Sequence, residues 1–403
     1  MKVRIFKGKA TGKVKAPPSK SFAHRLLIGC ALSGKGCNVK GVIESQDMLA
    51  TLNCLKGLGI GIDKQGDTVI FSGNKIEPSG EFNCKESGST LRFFIPIASV
   101  LLGSGTFYGT EKLISRGVDI YKNLFESQGI KFTINKNSIT IDGKLQGGNY
   151  TIAGNVSSQF ITGLLFALPL CDTDSTLTVT RPIESQSYIN ITLQVLSLFG
   201  IKIQQVAEGV YKIPGKQRYK AQNVTVEGDW SNAAFLYALK TLGHNVEING
   251  LNYDTVQGDA VCVDLIERVK NFSTNDSPID LSDCPDLAPV LFSVASALNG
   301  ANFTGTKRLA IKESDRAKAM QSELAKFGIK VVVNDNDCTV LPSKLQAPMQ
   351  ILCGHNDHRI VMALSVLCTL TGGIIDHAEA INKSYPDFFE VLENLGVKVT
   401  YEG

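Results

Sequence analysis

The sequence repeats one pattern six times, and this repetition constrains the fold more than any other feature. Each copy begins with small polar residues and continues as an apolar run, and most copies end at a glycine. The six copies are PPSKSFAHRLLIGCALSGKG from Pro17, ESGSTLRFFIPIASVLLGSG from Glu86, GNVSSQFITGLLFALPL from Gly154, GDWSNAAFLYALKTLG from Gly228, CPDLAPVLFSVASALNG from Cys284 and GHNDHRIVMALSVLCTLTGG from Gly354. Small polar residues are typical of a helix start and glycine of a helix end. The pattern predicts six helices that are apolar on all sides and therefore buried.

A second, amphipathic kind of helix alternates with the first. Its copies are MLATLNCLKGLGI, VDIYKNLFESQGI, NITLQVLSLFGI, AVCVDLIERVKNF, RAKAMQSELAKFGI and PDFFEVLENLGV, and short strands such as IKFTI and IKVVV follow. The chain therefore carries six copies of a strand–helix unit, at intervals of roughly 55–73 residues. We predict an α/β fold in which three units pack their apolar helices together, giving two similar domains.

Buried helices that run parallel present their N-termini, with free N–H groups and partial positive charge, on the same side. We therefore expect the six polar starts to form an anion site, with a ligand completing the caps that one side chain would otherwise fill. Cations accompany these starts or the nearby turns, and some of them interrupt apolar runs where a buried arginine needs an anionic partner. They are Lys20, Arg25, Arg92, Arg116, Lys312, Arg316, Arg359 and Lys383.

Composition excludes several classes of protein. A net charge of +3 over 403 residues is too small to indicate a nucleic-acid or membrane partner. No apolar run approaches the roughly 20 residues that span a bilayer, and the first residues lack the apolar segment of a signal peptide. The ten cysteines are scattered without a CxxC pair, which favours a reducing cytoplasm over zinc or disulfides. There is no Rossmann glycine fingerprint and no P-loop.

Carboxylates suited to proton transfer lie among the cations, at Asp286, Glu313, Asp315 and Asp357. A carboxylate among cations normally has its ionised form favoured. His355 and His358 have a spacing that suggests metal binding, but no third ligand accompanies them, so we expect no metal. No cysteine stands beside a His–Asp relay, so we expect no cysteine nucleophile.

Several motifs resemble those of the 5-enolpyruvylshikimate-3-phosphate (EPSP) synthases, in the same order and along the whole chain. PPSKSFAHR resembles the family's Lys-Ser-x-x-x-Arg start, and ESGSTLR stands where the family has its Gly-Thr-x-x-Arg loop. VSSQF, SYIN, CPDLA, IKESDR, NDHR and KSYPDFFE follow. IKESDR, DHR and KSYPDFFE together are the most specific part of the match.

The resemblance implies a two-domain, inside-out α/β barrel with three units per domain. One domain would comprise residues 1–18 and 228–403 and the other residues 19–227, with the active site in the cleft between them. It also implies enolpyruvyl transfer from phosphoenolpyruvate to the 5-hydroxyl of shikimate 3-phosphate, without cofactor or metal. We expect the protein to be a cytoplasmic monomer. In this family the herbicide glyphosate competes with phosphoenolpyruvate, so we expect this protein to be a target of glyphosate.

The resemblance also implies roles for individual residues, namely those at the positions that match the family's motifs. Shikimate 3-phosphate would be bound by Lys20, Ser21, Arg25, Ser157, Ser158, Gln159, Ser185, Tyr188, Asp286 and Lys312. Phosphoenolpyruvate would be bound by Lys20, Gly88, Arg92, Arg116, Gln159, Arg316, Arg359 and Lys383. The groups expected to transfer protons are Asp286, Glu313 and Lys20, and their division of labour stays open.

Three positions depart from the family pattern, which usually has Asn at Glu86, Thr at Ser89 and Arg-Pro at Arg116-Gly117. Ser187 also replaces a common proline. They bear on the affinity for phosphoenolpyruvate rather than on the reaction.

Two alternative functions remain. UDP-N-acetylglucosamine enolpyruvyl transferase has the same fold, but that family typically has Cys at the position of Glu111 and Asn at that of Ser21. A non-catalytic anion-binding relative would lack the proton-transfer groups, which this chain retains.

Overall fold

The computed structural model of the protein describes residues 1–402, without the side chain of Lys75. It divides into two compact units. Unit 1 comprises Met1–Ser19 together with the chain from Gly228 onward, and unit 2 comprises Lys20–Glu227.

The helices that the sequence predicts are present, with short additional ones. Within the described residues the α-helices are α1 Lys20–Ser33, α2 Gln46–Gly57, α3 Gly88–Leu102, α4 Glu111–Ser115, α5 Asp119–Glu126, α6 Ser158–Ala167, α7 Gln186–Leu198, α8 Trp230–Thr241, α9 Cys262–Lys270, α10 Ala288–Ala297, α11 Arg316–Ala325, α12 His358–Thr371 and α13 Phe388–Asn394. Short 3-10 helices span Leu168–Leu170, Gly258–Val261, Pro285–Leu287, Lys307–Ile311 and Ala378–Lys383.

The strands are short, and each four-stranded sheet is built from one repeat or shared between two. They are β1 Lys2–Ile5, β2 Thr11–Lys15, β3 Cys37–Lys40, β4 Ile60–Gln65, β5 Thr68–Lys75, β6 Glu81–Lys85, β7 Ser104–Gly109, β8 Lys131–Ile134, β9 Ser138–Asp142, β10 Asn149–Ala153, β11 Ser175–Thr180, β12 Gln204–Ala207, β13 Val210–Ile213, β14 Val224–Thr225, β15 Asn245–Asn249, β16 Ile279–Asp280, β17 Ala301–Thr304, β18 Val331–Val333, β19 Asp337–Val340, β20 Leu352–Cys353, β21 Gly373–Asp376 and β22 Val399–Glu402.

One sheet topology recurs in both units. In the sheet β6-β7-β9-β8, β6 and β7 are parallel and β9 is antiparallel to both β7 and β8. The apolar helix α3 connects the parallel pair, as a parallel crossover requires. The sheets β10-β11-β13-β12 and β16-β17-β19-β18 have the same arrangement.

The chain start completes sheets of unit 1. Strand β1 is antiparallel to β21 and β22, with Val3 opposite Ile375 and Tyr401. Strand β2 is parallel to β15. In unit 2, β14 closes the first sheet beside β3. The first strands of the chain therefore belong to the same unit as its last ones.

The prediction of buried apolar helices is confirmed. In α3, every residue from Thr90 to Val100 is buried, and α12 is buried from His358 to Thr369. The apolar helices of unit 1, α8, α10 and α12, share one hydrophobic core with the inner faces of α9, α11 and α13. No helix in residues 1–402 is long and apolar enough to cross a membrane.

The expectation that a ligand completes the helix caps is wrong for four of the six apolar helices. Protein side chains fill those caps: Ser87 accepts from the N–H of Thr90, Ser157 from Gln159, Asp229 from Asn232 and Asp357 from Arg359. The small polar residues thus satisfy the ordinary hydrogen-bonding needs of a helix start. Any anion site must be argued from side chains instead.

Candidate active site

Three polar groups of unit 2 converge beside Gly88, the first residue of α3. A methyl group built on Gly88 would lie 3.2 Å from Nη1 of Arg92, 3.3 Å from Oε1 of Gln159 and 3.4 Å from Nη1 of Arg116. The backbone of Gly88 is not in the left-handed region, so it is space rather than conformation that favours glycine here. The result is a small recess lined by two guanidinium groups and an amide, which we call the Gly88 pocket.

The Gly88 pocket is electrostatically suited to an anion. The two guanidinium nitrogens lie within 3.4 Å of one point, and two unit charges about 6 Å apart repel by roughly 3 kcal/mol at an effective dielectric constant near 20. Arg116 forms no ion pair within the described residues, and its Nε is buried without a hydrogen-bond partner. A carboxylate or phosphate between the two arginines would replace this repulsion by charge-assisted hydrogen bonds.

Gln159 fixes the side of the pocket formed by α6. Its Oε1 accepts a hydrogen bond of 2.6 Å from Nη1 of Arg92, and its Nε2 donates one of 2.9 Å to Oγ of Ser89. Nη2 of Arg92 points to the carbonyl oxygen of Arg116 at 3.4 Å. The amide therefore orients Arg92 and binds the start of α3 to α6.

Helices α3 and α6 meet closely at the level of Arg92. The hydroxyl of Tyr121 lies 2.8 Å from the carbonyl oxygens of both Arg92 and Phe160. A methyl group on Gly163 would overlap that hydroxyl and the carbonyl oxygen of Arg92. The guanidinium of Arg92 also lies over the ring of Phe160, 4.9 Å from its centroid, in a cation–π contact.

Arg25 of α1 is a buried cation that forms no ion pair in the described part of the chain. Its guanidinium donates to Oγ1 of Thr192 at 2.8 Å, to the carbonyl oxygen of Ser21 at 2.8 Å, and to Oγ1 of Thr162 and the carbonyl oxygen of Tyr188, both at 3.2 Å. Burial lowers the pKa of Arg25 to about 9, with a smaller opposing effect of Tyr188. A buried cation with neutral partners is stabilised by a nearby anion.

Lys20, at the start of α1, is paired with a residue that the sequence analysis did not single out. Its Nζ lies 3.1 Å from Oδ2 of Asp47 in α2, and each side chain is 16% exposed. In the sequence, Asp47 looks like an ordinary acidic residue in the first turn of a helix, and no local pattern indicates this pairing. The carboxylate restricts the ammonium group that we predict to act on the substrates.

The remaining predicted residues of unit 2 lie at helix starts. Ser157 is the cap of α6 and Ser158 its first residue. Ser185 precedes α7 and adopts a left-handed backbone with φ of 55°, a conformation uncommon for residues other than glycine. Tyr188 lies in the first turn of α7, and its carbonyl oxygen accepts from Arg25.

In unit 1, one buried guanidinium gathers three carboxylates. Arg316, whose side chain is 1% exposed, has Nε 2.9 Å from Oδ2 of Asp357, Nη1 2.7 Å from Oδ1 of Asp286 and Nη2 2.7 Å from Oε2 of Glu313. Burial alone would lower the pKa of Arg316, but the three carboxylates raise it well above its ordinary value. In this arrangement Arg316 orients the two predicted acid–base carboxylates, and its contact with phosphoenolpyruvate stays a prediction.

Asp286 receives two further cations. Oδ2 lies 2.9 Å from Nη2 of Arg359, and Oδ1 lies 3.2 Å from Nζ of Lys312. Burial opposes ionisation of Asp286, but Arg359, Lys312 and Arg316 together hold its pKa well below the ordinary value. Burial also lowers the pKa of Lys312. Asp286 is therefore a carboxylate that keeps its charge at neutral pH.

Lys383 and the turn before α12 complete this group. Nζ of Lys383 donates to the carbonyl oxygen of Asn356 at 2.7 Å. Asn356 and His355 both have left-handed backbones, with φ of 53° and 51°. Nε2 of His355 lies 3.0 Å from Oε1 of the buried Glu323. This contact stabilises the turn that positions Asp357 beside Arg316.

Two of the four carboxylates that the sequence offered for proton transfer have structural positions instead. Asp357 is fully buried and accepts from Ser314 and Arg316. Asp315 is the cap of α11 and accepts from the N–H of Lys318. Across residues 1–402, no group of three or more His, Cys, Asp and Glu side chains has the arrangement of a metal site.

Comparison with known proteins decides the family. The family model described as EPSP synthase (3-phosphoshikimate 1-carboxyvinyltransferase) matches residues 6–392. Curated proteins named 3-phosphoshikimate 1-carboxyvinyltransferase match almost end to end. That of Clostridium kluyveri is 39% identical, with 98% of each chain covered. That of Clostridium novyi is 37% identical, over 98% of this chain and 97% of the relative.

The chain belongs to the EPSP synthase family. The resemblance stated from the motifs is thereby confirmed.

Solved structures support the fold. An EPSP synthase from Acinetobacter baumannii has a TM-score of 0.80 at 20% identity, covering 99% of this chain and 100% of that one. The enolpyruvyl transferase NikO from Streptomyces tendae has a TM-score of 0.79 at 13% identity, covering 99% and 98%. These likenesses confirm the predicted α/β fold of repeated strand–helix units. Because two differently named transferases score alike, the fold does not identify the acceptor substrate.

The positions that depart from the EPSP synthase pattern have clear places in the structure. Glu86 is half-buried and immediately precedes the cap Ser87. Gly117 follows Arg116 with φ of 85°, a conformation closed to the proline that the family usually has there. Glu111, where the rival transferases have cysteine, is exposed and pairs with Lys136 at 3.2 Å.

Proposed function

We propose that the protein transfers the enolpyruvyl group of phosphoenolpyruvate to the 5-hydroxyl of shikimate 3-phosphate, releasing phosphate. This is 3-phosphoshikimate 1-carboxyvinyltransferase activity, the activity by which its relatives are named. The observation that carries the proposal is the Gly88 pocket, where two arginines and an amide converge on one point.

The predicted phosphoenolpyruvate residues of unit 2 suit that ligand. It carries a phosphate and a carboxylate, and guanidinium groups bind both through paired hydrogen bonds. Arg92 and Arg116 supply such donors. Gln159 presents Oε1 at 3.3 Å from the same point, and this oxygen accepts from Arg92 and orients it. We propose that Lys20, Arg316, Arg359 and Lys383 complete this set, in accord with the family positions.

The predicted shikimate 3-phosphate residues combine hydroxyl groups with cations. Ser157, Ser158 and Ser185 place hydroxyl groups at helix starts, and a hydroxyl group can donate a hydrogen bond to a phosphate oxygen. The uncompensated charge of Arg25 provides the electrostatic attraction for the same group. We propose that Ser21, Gln159, Tyr188, Asp286 and Lys312 bind the rest of this substrate.

The reaction needs two proton movements in its first step. The 5-hydroxyl loses a proton as its oxygen bonds to C2 of phosphoenolpyruvate, and C3 gains a proton, giving a tetrahedral ketal. The ketal then loses a proton from C3 and breaks its C–O bond to phosphate, which restores the double bond. The protein must therefore present both a proton acceptor and a proton donor.

The environment of Asp286 favours one division of these roles. A carboxylate with a strongly lowered pKa accepts a hydrogen bond well but retains a proton poorly, whereas efficient acid–base groups have a pKa near the working pH. We therefore assign Asp286 to orienting the 5-hydroxyl. Glu313, 26% exposed and held by Arg316 on one side, and Lys20 are then the proposed proton-transfer pair.

The proposal is tested by measuring phosphate release from phosphoenolpyruvate with each acceptor in turn. Release with shikimate 3-phosphate, and formation of the enolpyruvyl product by mass spectrometry, is the expected result. Release with UDP-N-acetylglucosamine alone would overturn it in favour of the rival transferase. Calorimetric binding of shikimate 3-phosphate without turnover would favour a non-catalytic relative.

We also propose that the enzyme acts in the cytoplasm and as a monomer. All ten cysteines are free thiols, and all but Cys353 are buried, which accords with a reducing compartment. Light scattering of the purified protein tests the monomer, and a dimeric mass would overturn it.

A further inference from the structure

A chain of buried side-chain hydrogen bonds links the first three helices of unit 2. Nδ1 of His24 in α1 lies 2.7 Å from Oγ1 of Thr51 in α2, and Thr51 lies 2.8 Å from Oγ1 of Thr90 in α3. Thr90 in turn donates to Oγ of Ser87 at 2.8 Å. Ser87 is the cap that immediately precedes Gly88, so the chain ends at the Gly88 pocket.

The proton order along this chain is determined by its last member. Thr90 donates its hydroxyl proton to Ser87, so it must accept from Thr51. Thr51 has then used its own proton and must accept from His24, which requires a proton on Nδ1. Nε2 of His24 is buried, with no hydrogen-bond partner in the described residues. It therefore carries a lone pair rather than a second N–H.

The surroundings of His24 favour this neutral form. Burial, and then the charges of Lys20 and Arg25, lower the pKa of His24 well below its ordinary value. A further positive charge on the ring would be repelled by these two cations, which favours the neutral form. The ring also stands edge-on to Phe93 of α3, with centroids 6.2 Å apart.

The helix spacing places this chain beside the Lys20–Asp47 pair. Lys20 and His24 are four residues apart in α1, and Asp47 and Thr51 are four residues apart in α2. Residues at that spacing share one face of a helix. The two helices therefore meet through an ion pair and, one turn further along, through the His24–Thr51 hydrogen bond.

We infer that the His24–Thr51–Thr90–Ser87 chain is a positioning device that holds the Gly88 pocket in register with Lys20. The inference rests on the proposed function, because the pocket is there assigned to phosphoenolpyruvate and Lys20 to proton transfer. None of the four side chains needs to touch a substrate. Breaking the chain shifts the start of α3, and with it Gly88 and Arg92, relative to α1.

The selective variant is Thr51→Val, which keeps the shape of the side chain and removes the central hydroxyl. A neutral hydrogen bond contributes about 0.5–1.5 kcal/mol, and each 1.4 kcal/mol is a factor of ten. We expect the KM for phosphoenolpyruvate to rise about three- to tenfold, with kcat lowered and the KM for shikimate 3-phosphate within about twofold. Thr51→Ser restores the hydroxyl and should restore the wild-type KM.

A matched control removes a hydroxyl of the same unit that lies outside the chain. Thr106 in β7 lies 3.4 Å from Oγ1 of Thr140, and Thr106→Val should leave both KM values unchanged. Thr90→Val should act like Thr51→Val, and the double variant should be no worse than either single one, because one interrupted chain cannot be interrupted twice. Equal changes in the two KM values, or additive losses, would overturn the inference.

A measurement on the wild-type protein decides the case even where a variant fails to fold. In ¹⁵N-histidine-labelled protein, the long-range ¹H–¹⁵N spectrum should show neutral His24 at pH 7 with the proton on Nδ1. A proton on Nε2 would break the deduced order and overturn the chain. Absence of turnover by the wild type, with this tautomer present, would instead count against the proposed function.

Discussion

Replacing Gly88 by alanine tests the Gly88 pocket directly. The added methyl would lie 3.2–3.4 Å from the ends of three side chains, Arg92, Gln159 and Arg116. Each of these ends is flexible and has to move by only a few tenths of an ångström, and the backbone of residue 88 needs no unusual conformation. We therefore expect the variant to fold, with its space for a ligand reduced.

The size of the expected effect on substrate binding follows from the arginine contacts that the methyl group would weaken. A hydrogen bond to a charged group is worth about 1.5–3 kcal/mol, so weakening one arginine contact should raise the KM for phosphoenolpyruvate by roughly tenfold or more. Glyphosate is longer than phosphoenolpyruvate and competes with it in this family. We expect its inhibition constant to rise by a larger factor than that KM.

The assay is a paired steady-state comparison with a matched control. Gly36→Ala adds the same methyl in unit 2, at 3.7 Å from the carbonyl oxygen of Phe71, which is ordinary contact, and should change neither constant. Equal factors for glyphosate and phosphoenolpyruvate in Gly88→Ala would refute the reasoning. An equal rise in the KM for shikimate 3-phosphate would likewise show that the pocket is not selective.

Three further predictions concern unit 1. Glu313→Gln should lower kcat by about 100-fold or more with an unchanged melting temperature, because Arg316 retains its other carboxylates. Arg316→Met should lower the free energy of unfolding in urea by roughly 3–5 kcal/mol, because it removes the cation paired with buried Asp357. As a control, Lys318→Met removes the exposed Lys318–Asp315 pair and should lower it by less than about 1 kcal/mol. Because the pKa of Asp286 is lowered in the folded state, ionised Asp286 stabilises the fold above about pH 4, and this stabilisation is lost as the pH falls through the folded-state pKa. In Asp286→Asn the free energy of unfolding should therefore fall less steeply at acid pH than in the wild type.

The repeated apolar runs predicted the architecture because a helix that is apolar on every side has to be buried along its whole length. The runs that begin near Glu86 and Gly354 are apolar on every side, and α3 and α12 are accordingly buried over almost their full length. The pairing of β1 with β22 was not contained in the periodicity. The pairing of two strands from opposite ends of the chain depends on which sheet edges meet in the fold, and the local sequence pattern of a strand does not specify its partner.

The candidate site was predictable where charge interrupts an apolar run. Arg25 and Arg92 could be identified because a buried guanidinium in such a run is costly without a purpose. Thr51 and Asp47 could not, since both look ordinary on an amphipathic helix. Their role depends on which face of α2 meets α1, and only the packed structure contains that information. The same limit explains why the caps were misassigned to a ligand.

Within residues 1–402, Arg25 and Arg116 of unit 2 lack the carboxylate partners that Arg316 and Lys312 of unit 1 have, whereas Lys20 of unit 2 is paired with Asp47. Arg25 and Arg116 of unit 2 form no ion pair within the described residues, so a bound anion relieves an existing electrostatic cost there. In unit 1, Arg316 and Lys312 are already paired with carboxylates, so an anion gains less by approaching them. Those pairs instead hold Asp286 in its ionised form and orient both Asp286 and Glu313. Unit 2 is thus suited to supply affinity for anionic substrates, and unit 1 to supply oriented carboxylates, of which Asp286 is kept ionised by the surrounding cations.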